Sequence, residues 1–404
     1  MQRRIVALVA LCALSISSPL VAQKARKVPE RPAVTGDRND PLAYYRLGLQ
    51  LIEVKPDQSA AALYWATQLD PSWAPALYAR RIAELRANER NLIRYMDGDR
   101  KARREFAGVD SLFFRARMIE PFLAQDLDKG LVTHYLNASI SEGVRRSNPT
   151  AAEGEIRYAV ESYVDEMLKN GRNPSLLGWL AFSEGRYGDA LGLYAKAIGK
   201  KHESPGLHDD RATIFFKMQN YDSAASELEH ALAESKKENE KETEVIYRPR
   251  ALLHYRMAHV QLRQNKLAEA RESLGHALEE DLSFYPAHMT LANLALATGD
   301  TATATQEMQL AVDLNPQEAL PFMRQAELLS VIGQADAAQA TLEKVVAMAP
   351  YYASPYLELG RLAHKAGRTD AAIEHYRNFL QRAPAGSSRV QEATQRIVAL
   401  GGKP

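Results

Sequence analysis

The chain repeats itself every 34 residues, and that recurrence restricts it to architectures made by stacking one small unit. Ala190, Ala224, Ala270, Ala304, Ala338 and Ala372 mark equivalent positions. Four of the five intervals are 34 residues; the fifth, 46, holds the charged, non-periodic run ESKKENEKETEV from Glu234 to Val245. Four residues after each alanine stands a larger apolar one: Tyr194, Leu228, Leu274, Met308, Leu342 and Tyr376. Upstream, small residues recur at Gly178, Ala212, Ala258, Ala292, Ala326 and Gly360. Small residues let two antiparallel helices approach closely, and large ones fill the joint between one pair and the next. Between the halves, Gly185, Asn265, Gly299, Gly333 and Gly367 suit the left-handed backbone that ends a helix. One pair cannot bury its apolar face alone, so stacking has to supply the core. The spacing predicts an all-α chain, an α-solenoid of antiparallel helix pairs. The alanine and aromatic stripes read as core and not as a cofactor site.

The details of the unit carry a resemblance. Leu177-Gly178 and Leu359-Gly360, the runs EGRYGDA and GLYAKAI, and closing prolines at Pro316, Pro350 and Pro384 are similar to the tetratricopeptide repeat (TPR). Six copies fit, at roughly 171–204, 205–238, 251–284, 285–318, 319–352 and 353–386, within a repeat region of 171–386 whose charged insertion lies at about 235–247. After them, SSRVQEATQRIVAL keeps a helical period in Val390, Ala393, Ile397 and Leu400, as a helix capping the array would; it belongs to a C-terminal stretch, 387–404.

Ahead of the repeats, residues 41–73 look like one degenerate unit, with Leu47-Gly48 and a close at Pro71. The rest of 41–170 reads as divergent helical hairpins continuous with the array, or else as a separate helical domain. Arg80 to Arg117 is locally basic, but Glu84, Glu89 and Glu105 are spaced to pair on a helix, so a salt-bridged face is the expectation and a patch for an acidic partner the alternative.

The first 22 residues read as a secretory signal. Arg3 and Arg4 precede an apolar run from Ile5 to Ile16, and SSPLVA leads to a cleavage point after Ala22. A retained anchor asks for about 20 apolar residues, and a lipoprotein reading would rest on Cys12, preceded by an ill-suited Leu11. Cys12 is the only cysteine, so the mature chain carries no disulfide, thiolate nucleophile or cysteine metal site. Removing two arginines from 51 basic residues leaves 49 against 50 acidic ones, which gives no reason to expect nucleic acid as a partner. Residues 23–40 read as a flexible lead-in. The mature product is expected in the periplasm or outside the cell, with no integral membrane segment.

Motifs that carry chemistry are missing. There is no HExxH, GxSxG, P-loop or dinucleotide fingerprint. His254 and His259, five residues apart, do not share a helical face well. Neither catalysis, a metal nor a cofactor is expected.

What remains is partner binding. The resemblance implies that the first helix of each pair lines an inner, concave face. Carrying its positions over gives Trp179, Phe182, Phe216, Tyr255, His259, Arg263, Asn293, Arg324, Arg361 and His364 as candidate contacts for a protein or peptide. Aromatic and arginine side chains are the types that dominate binding hot spots. Trp179 and Phe182 have a competing role, packing against the hairpin before them. A carboxylate clamp known in one subclass is incomplete here: Asn293 and Arg324 match it, while Met289, Ser354 and Glu358 stand where cations are needed. The expected function is thus a non-enzymatic adaptor binding a partner in its groove. The alternative is a structural spacer in a cell-envelope or polysaccharide-export assembly, acting through its ends and convex face.

Overall fold

Prolines and short polar caps cut the chain into helices. Proline occupies the first helical turn at Pro41, Pro56, Pro205, Pro286 and Pro355, where its missing N–H costs nothing. The side chains of Asp40, Asp99, Ser204, Asp300 and Ser387 accept hydrogen bonds from first-turn amides. The structure, a computed structural model, describes residues 28–88, 91–92, 94, 99–170, 174–199, 204–241 and 250–404. Its contacts divide the chain into Met1–Pro32 and Ala33–Pro404. The expected signal segment, Glu89, and the second half of the charged insertion lie outside the described residues.

All described helices belong to the second unit, and every regular element among the described residues is a helix. Three come first: α1 (Pro41–Leu51), α2 (Pro56–Leu69) and α3 (Ala74–Arg86). Three longer ones follow: α4 (Arg100–Ile119), α5 (Asp128–Ser147) and α6 (Glu153–Asn170). Six antiparallel pairs then succeed one another: α7–α8 (Pro174–Ser183, Tyr187–Gly199), α9–α10 (Pro205–Lys217, Tyr221–Lys241) and α11–α12 (Arg250–Arg263, Leu267–Glu280). The last three pairs are α13–α14 (Tyr285–Ala297, Thr301–Leu314), α15–α16 (Ala319–Val331, Ala335–Met348) and α17–α18 (Ser354–Lys365, Thr369–Leu380). Helix α19 (Ser388–Ala399) packs on α18. The start of the charged insertion is no loop: α10 continues helically through it to Lys241.

Within a pair, the two marker positions meet. Gly178 faces Tyr194 and Gly360 faces Tyr376, so closely that a Cβ on either glycine would stand 2.6 or 2.5 Å from the ring. Where the second helix carries leucine or methionine instead, the first carries alanine, as in Ala326 and Leu342. Small and large thus vary together, holding the helix separation constant. The turn between the helices is left-handed throughout: φ is +73° at Gly185, +60° at Asn265 and +81° at Gly299. In the α9–α10 pair the same conformation falls on Gln219, at φ +61°, although its side chain disfavours it.

The N-terminal helices share cores with their neighbours. Ile52, Leu63, Leu77, Tyr78, Phe106 and Val109, drawn from the α1–α2 region, α3 and α4, form one buried cluster. The far end of α4 joins another core, where Met118 packs with Leu252, Tyr255 and Ala258 of α11. The first helices also touch the last repeats: Trp65 meets Tyr351 edge-on at 5.1 Å, and Asn39 donates to the Gln381 carbonyl at 2.8 Å.

Candidate partner-binding face

The segment from Arg115 to Asp128 decides what the repeats leave open. Arg115 pairs with Glu318 at 3.0 Å and Arg117 with Asp209 at 2.7 Å. The Tyr255 hydroxyl donates to the Met118 carbonyl at 3.0 Å. Past the end of α4 the chain turns, and Phe122 stacks on Phe216 with centroids 3.7 Å apart and planes 3° from parallel. The Arg256 guanidinium lies 4.3 Å from the Phe122 ring centre, a cation–π contact out of water. Part of the face that the resemblance assigns to a partner is therefore covered by this chain itself.

Under that segment lies a cluster of buried and half-buried charges. Arg256, fully buried, contacts Asp209 and donates to Thr213 Oγ1 at 2.6 Å. Asp128, at the start of α5, accepts from the Tyr78 hydroxyl at 2.7 Å and from Trp179 Nε1 at 3.1 Å. Asp210 accepts from the Tyr194 hydroxyl at 2.8 Å. Burial raises the Asp128 pKa, against the hydrogen bonds it accepts. Burial, reinforced by Asp128, pushes Asp210 up to about 7 despite Tyr194, Arg117 and Gln125, which favour its charge. Burial likewise brings Arg117 down to about 10, and Asp210 opposes that shift.

Beside the stacked rings a cleft of about 630 Å³ stays open. Ile119, Glu120 and Phe122 form one wall, Phe216 and Tyr221 the floor, and Lys217, His259 and Arg263 the other side. Lys217 pairs loosely with Glu120 at 3.8 Å, and Arg263 is exposed. Burial, with Arg263 near, holds His259 down at about 4, so its ring is neutral at pH 7 and its buried Nε2 makes no hydrogen bond.

The ten candidate contacts separate accordingly. Phe182 is 3% exposed, packed with Tyr187, and Tyr255 is 4% exposed under Met118; neither offers a surface. Trp179 is half-buried and tied to Asp128, which is the packing role against the preceding hairpin. Phe216, His259 and Arg263 come together in the cleft. Asn293, exposed, repeats the His259 position one unit on. Arg324 is exposed and pairs with Glu327 at 2.7 Å; Arg361 pairs with Glu358 and Glu392, each at 2.7 Å. His364 is half-buried.

The start of the basic segment is salt-bridged: Arg80 pairs with Glu84 at 2.7 Å and Arg81 with Asp110 at 3.2 Å, while Lys101 and Arg104 are exposed and Arg90 lies outside the described residues. Sequence reading passed over Phe122, Asp128, Asp210 and Arg256. The signal for Arg256 was present, an arginine inside the otherwise core-like run ALLHYRMAHV. Among the described residues no group of three or more His, Cys, Asp or Glu is placed to hold a metal, and no helix is long and apolar enough to cross a membrane.

A family model described as tetratricopeptide repeat matches residues 255–319 and 323–387. These two segments are tetratricopeptide repeats. No curated protein matches the chain. Among solved structures, the C-terminal part of a TPR repeat-containing protein from Cytophaga hutchinsonii is 16% identical, with a TM-score of 0.46 over 56% of this chain and 86% of that one. A tetratricopeptide repeat protein from Parabacteroides merdae is also 16% identical, with a TM-score of 0.39 over 69% and 97%. PilF from Pseudomonas aeruginosa is 20% identical, with a TM-score of 0.41 over 55% and 95%. At such identities and TM-scores these likenesses assign no role.

Proposed function

We propose that this chain is an exported, non-enzymatic scaffold that docks a protein or peptide partner in the cleft between Ile119–Phe122 and the repeats. Tetratricopeptide repeats imply a protein-interaction role, and we assign that role to the cleft. One observation carries the choice: elsewhere the inner positions of α9 and α11 are filled by the segment from Arg115 to Phe122, whereas here an aromatic floor and two cations stay accessible. Because two fixed walls frame the cleft, the protein loses little entropy on binding. A spacer working through free ends fits less well, since Asn39 and Trp65 are engaged with Gln381 and Tyr351.

A photo-crosslinker placed at Arg263 in the producing cells should capture a partner, and one at the exposed Val398 should not. Capture from Val398 alone would move the site off the cleft. Lys217→Glu with Arg263→Glu should weaken capture without changing helix content. Export rests on the N-terminal sequence, and mass spectrometry of the mature chain should find Gln23 as its first residue. An intact Met1 in the recovered protein would remove that part of the proposal.

A further inference from the structure

We infer that a second cavity, formed by α3, the chain after α1 and the start of α5, binds a monocarboxylate on the buried Arg86 guanidinium, in the place that Glu53 holds. The cavity measures about 410 Å³ and shares no lining residue with the cleft described above, so it stands apart from the docking proposal. Ile52, Ile82 and Leu127 give it apolar walls, and Arg86, Lys129 and Asp126 bring charge.

The arginine marks the site. Arg86 ends α3 with its side chain 5% exposed, yet its ion-pair partner, Glu53, is 59% exposed. Glu53 touches Nη1, while Nε is buried and makes no hydrogen bond among the described residues. A guanidinium carries five donors, and burying it against a single, mostly solvated carboxylate leaves much of its charge uncompensated. Gly130 shows that the place is shaped for a carboxylate. A Cβ there would stand 2.5 Å from Glu53 Oε1 and 3.5 Å from Arg86 Nη1, so glycine is what leaves the slot open. Gly130 also lies in the first turn of α5, whose N-cap position, Leu127, offers no capping side chain. The positive end of that helix dipole adds to the field that holds an anion there.

Charge balance selects the ligand. Arg86 and Lys129 face Glu53 and Asp126, and Lys129 is also held by Glu184 at 2.6 Å. No cation is in excess, so an incoming anion replaces Glu53 rather than joining it, and a single negative charge is what the cavity accepts. A carboxylate fits the guanidinium as Glu53 does. Glu53 sits on the short connection between α1 and α2, where it can swing fully into solvent. Being tethered, it competes at a fixed effective concentration. A ligand overcomes it by burying a hydrocarbon body against Ile52, Ile82 and Leu127, contact that the Glu53 carboxylate does not supply.

Isothermal titration of the full chain with sodium hexanoate tests this, with hexanamide and inorganic phosphate as controls. Hexanoate should bind and neither control should. Glu53→Ala removes the tethered competitor and should tighten hexanoate binding about 10-fold; Glu53→Gln takes its place should the alanine variant lose helix content. Adding Arg86→Met to the Glu53 variant should abolish binding. Adding Gly130→Ala instead puts a methyl group where the carboxylate sits, and should weaken binding about 10-fold or more; it carries the same test should the Arg86 variant not fold. A pair that serves stability alone predicts that no carboxylate binds whether Glu53 is present or not. Absence of hexanoate binding in the parent and the Glu53 variant alike, equal binding of hexanamide, preference for phosphate, or binding untouched by Arg86→Met and Gly130→Ala overturns the inference.

Discussion

Adding one methyl group at Gly360 sets two effects against each other whose sizes can be compared. In a helix interior, glycine to alanine gains about 1 kcal/mol from backbone entropy. Here the new Cβ would lie 2.5 Å from Tyr376 Cδ1 and 2.6 Å from Cε1, far inside van der Waals contact. Tyr376 has no room to yield, because it is fully buried among Leu357, Ala372, Phe379 and Ile397. Overpacking of this kind costs about 1–3 kcal/mol, and with the 2.5 Å approach at the upper end of that range Gly360→Ala should destabilise by a net of up to about 2 kcal/mol. Tyr376→Leu alone leaves a void and should cost about 2–3 kcal/mol. Its hydroxyl is buried without a partner, so no hydrogen bond is lost. Together the two changes recreate the Ala326–Leu342 combination of the preceding unit, and the double variant should recover about 2 kcal/mol relative to the sum. Helical arrays need not unfold in one step. The readout is therefore hydrogen exchange in α17 and α18, alongside urea unfolding followed by circular dichroism. Additive losses, or a Gly360→Ala variant more stable than the parent, would refute the size-matching argument.

Other perturbations probe different parts. Gln219→Gly should raise stability by about 1 kcal/mol by removing a side chain from a left-handed turn, while Asn265→Gly should gain less, and thermal unfolding compares the two. Arg117→Ala strands Asp209 and Asp210 beside one remaining guanidinium and should cost about 3–5 kcal/mol in urea unfolding. Arg146→Ala, which removes a 77% exposed partner of Glu142, should cost less than about 0.5 kcal/mol in the same assay.

The helical architecture was legible because stacking forces the same contact to recur. Gly178 opposite Tyr194 and Ala292 opposite Met308 record one geometry, and a 34-residue register reveals it without coordinates. The left-handed turn at Gln219 was not legible, since a residue that tolerates a conformation at a cost leaves no compositional mark. The candidate site was legible only in outline. Helix periodicity assigns Phe216 and Tyr255 to an inner face, but whether that face is vacant depends on Met118 and Phe122, about a hundred residues or more away in sequence. Such contacts join segments of unlike pattern and so produce no period. Arg256 and Asp210 could be seen as charges in core-like surroundings, but their partners Phe122 and Tyr194 required the fold.

The ties between distant segments also bear on how such a chain can vary. An open array of helix pairs gains or loses a unit at little cost, because each unit touches only its neighbours. Here Arg115 reaches Glu318, Tyr255 reaches Met118, Trp65 reaches Tyr351 and Asn39 reaches Gln381. Deleting the α13–α14 pair would shift Glu318, Tyr351 and Gln381 together while leaving their partners in place. Length variation inside these spans is thus confined to additions that leave the units beyond them where they are. The place where the chain does depart from its period, between Ala224 and Ala270, extends the end of α10 and leaves the spacing from Ala270 to Ala372 in strict register.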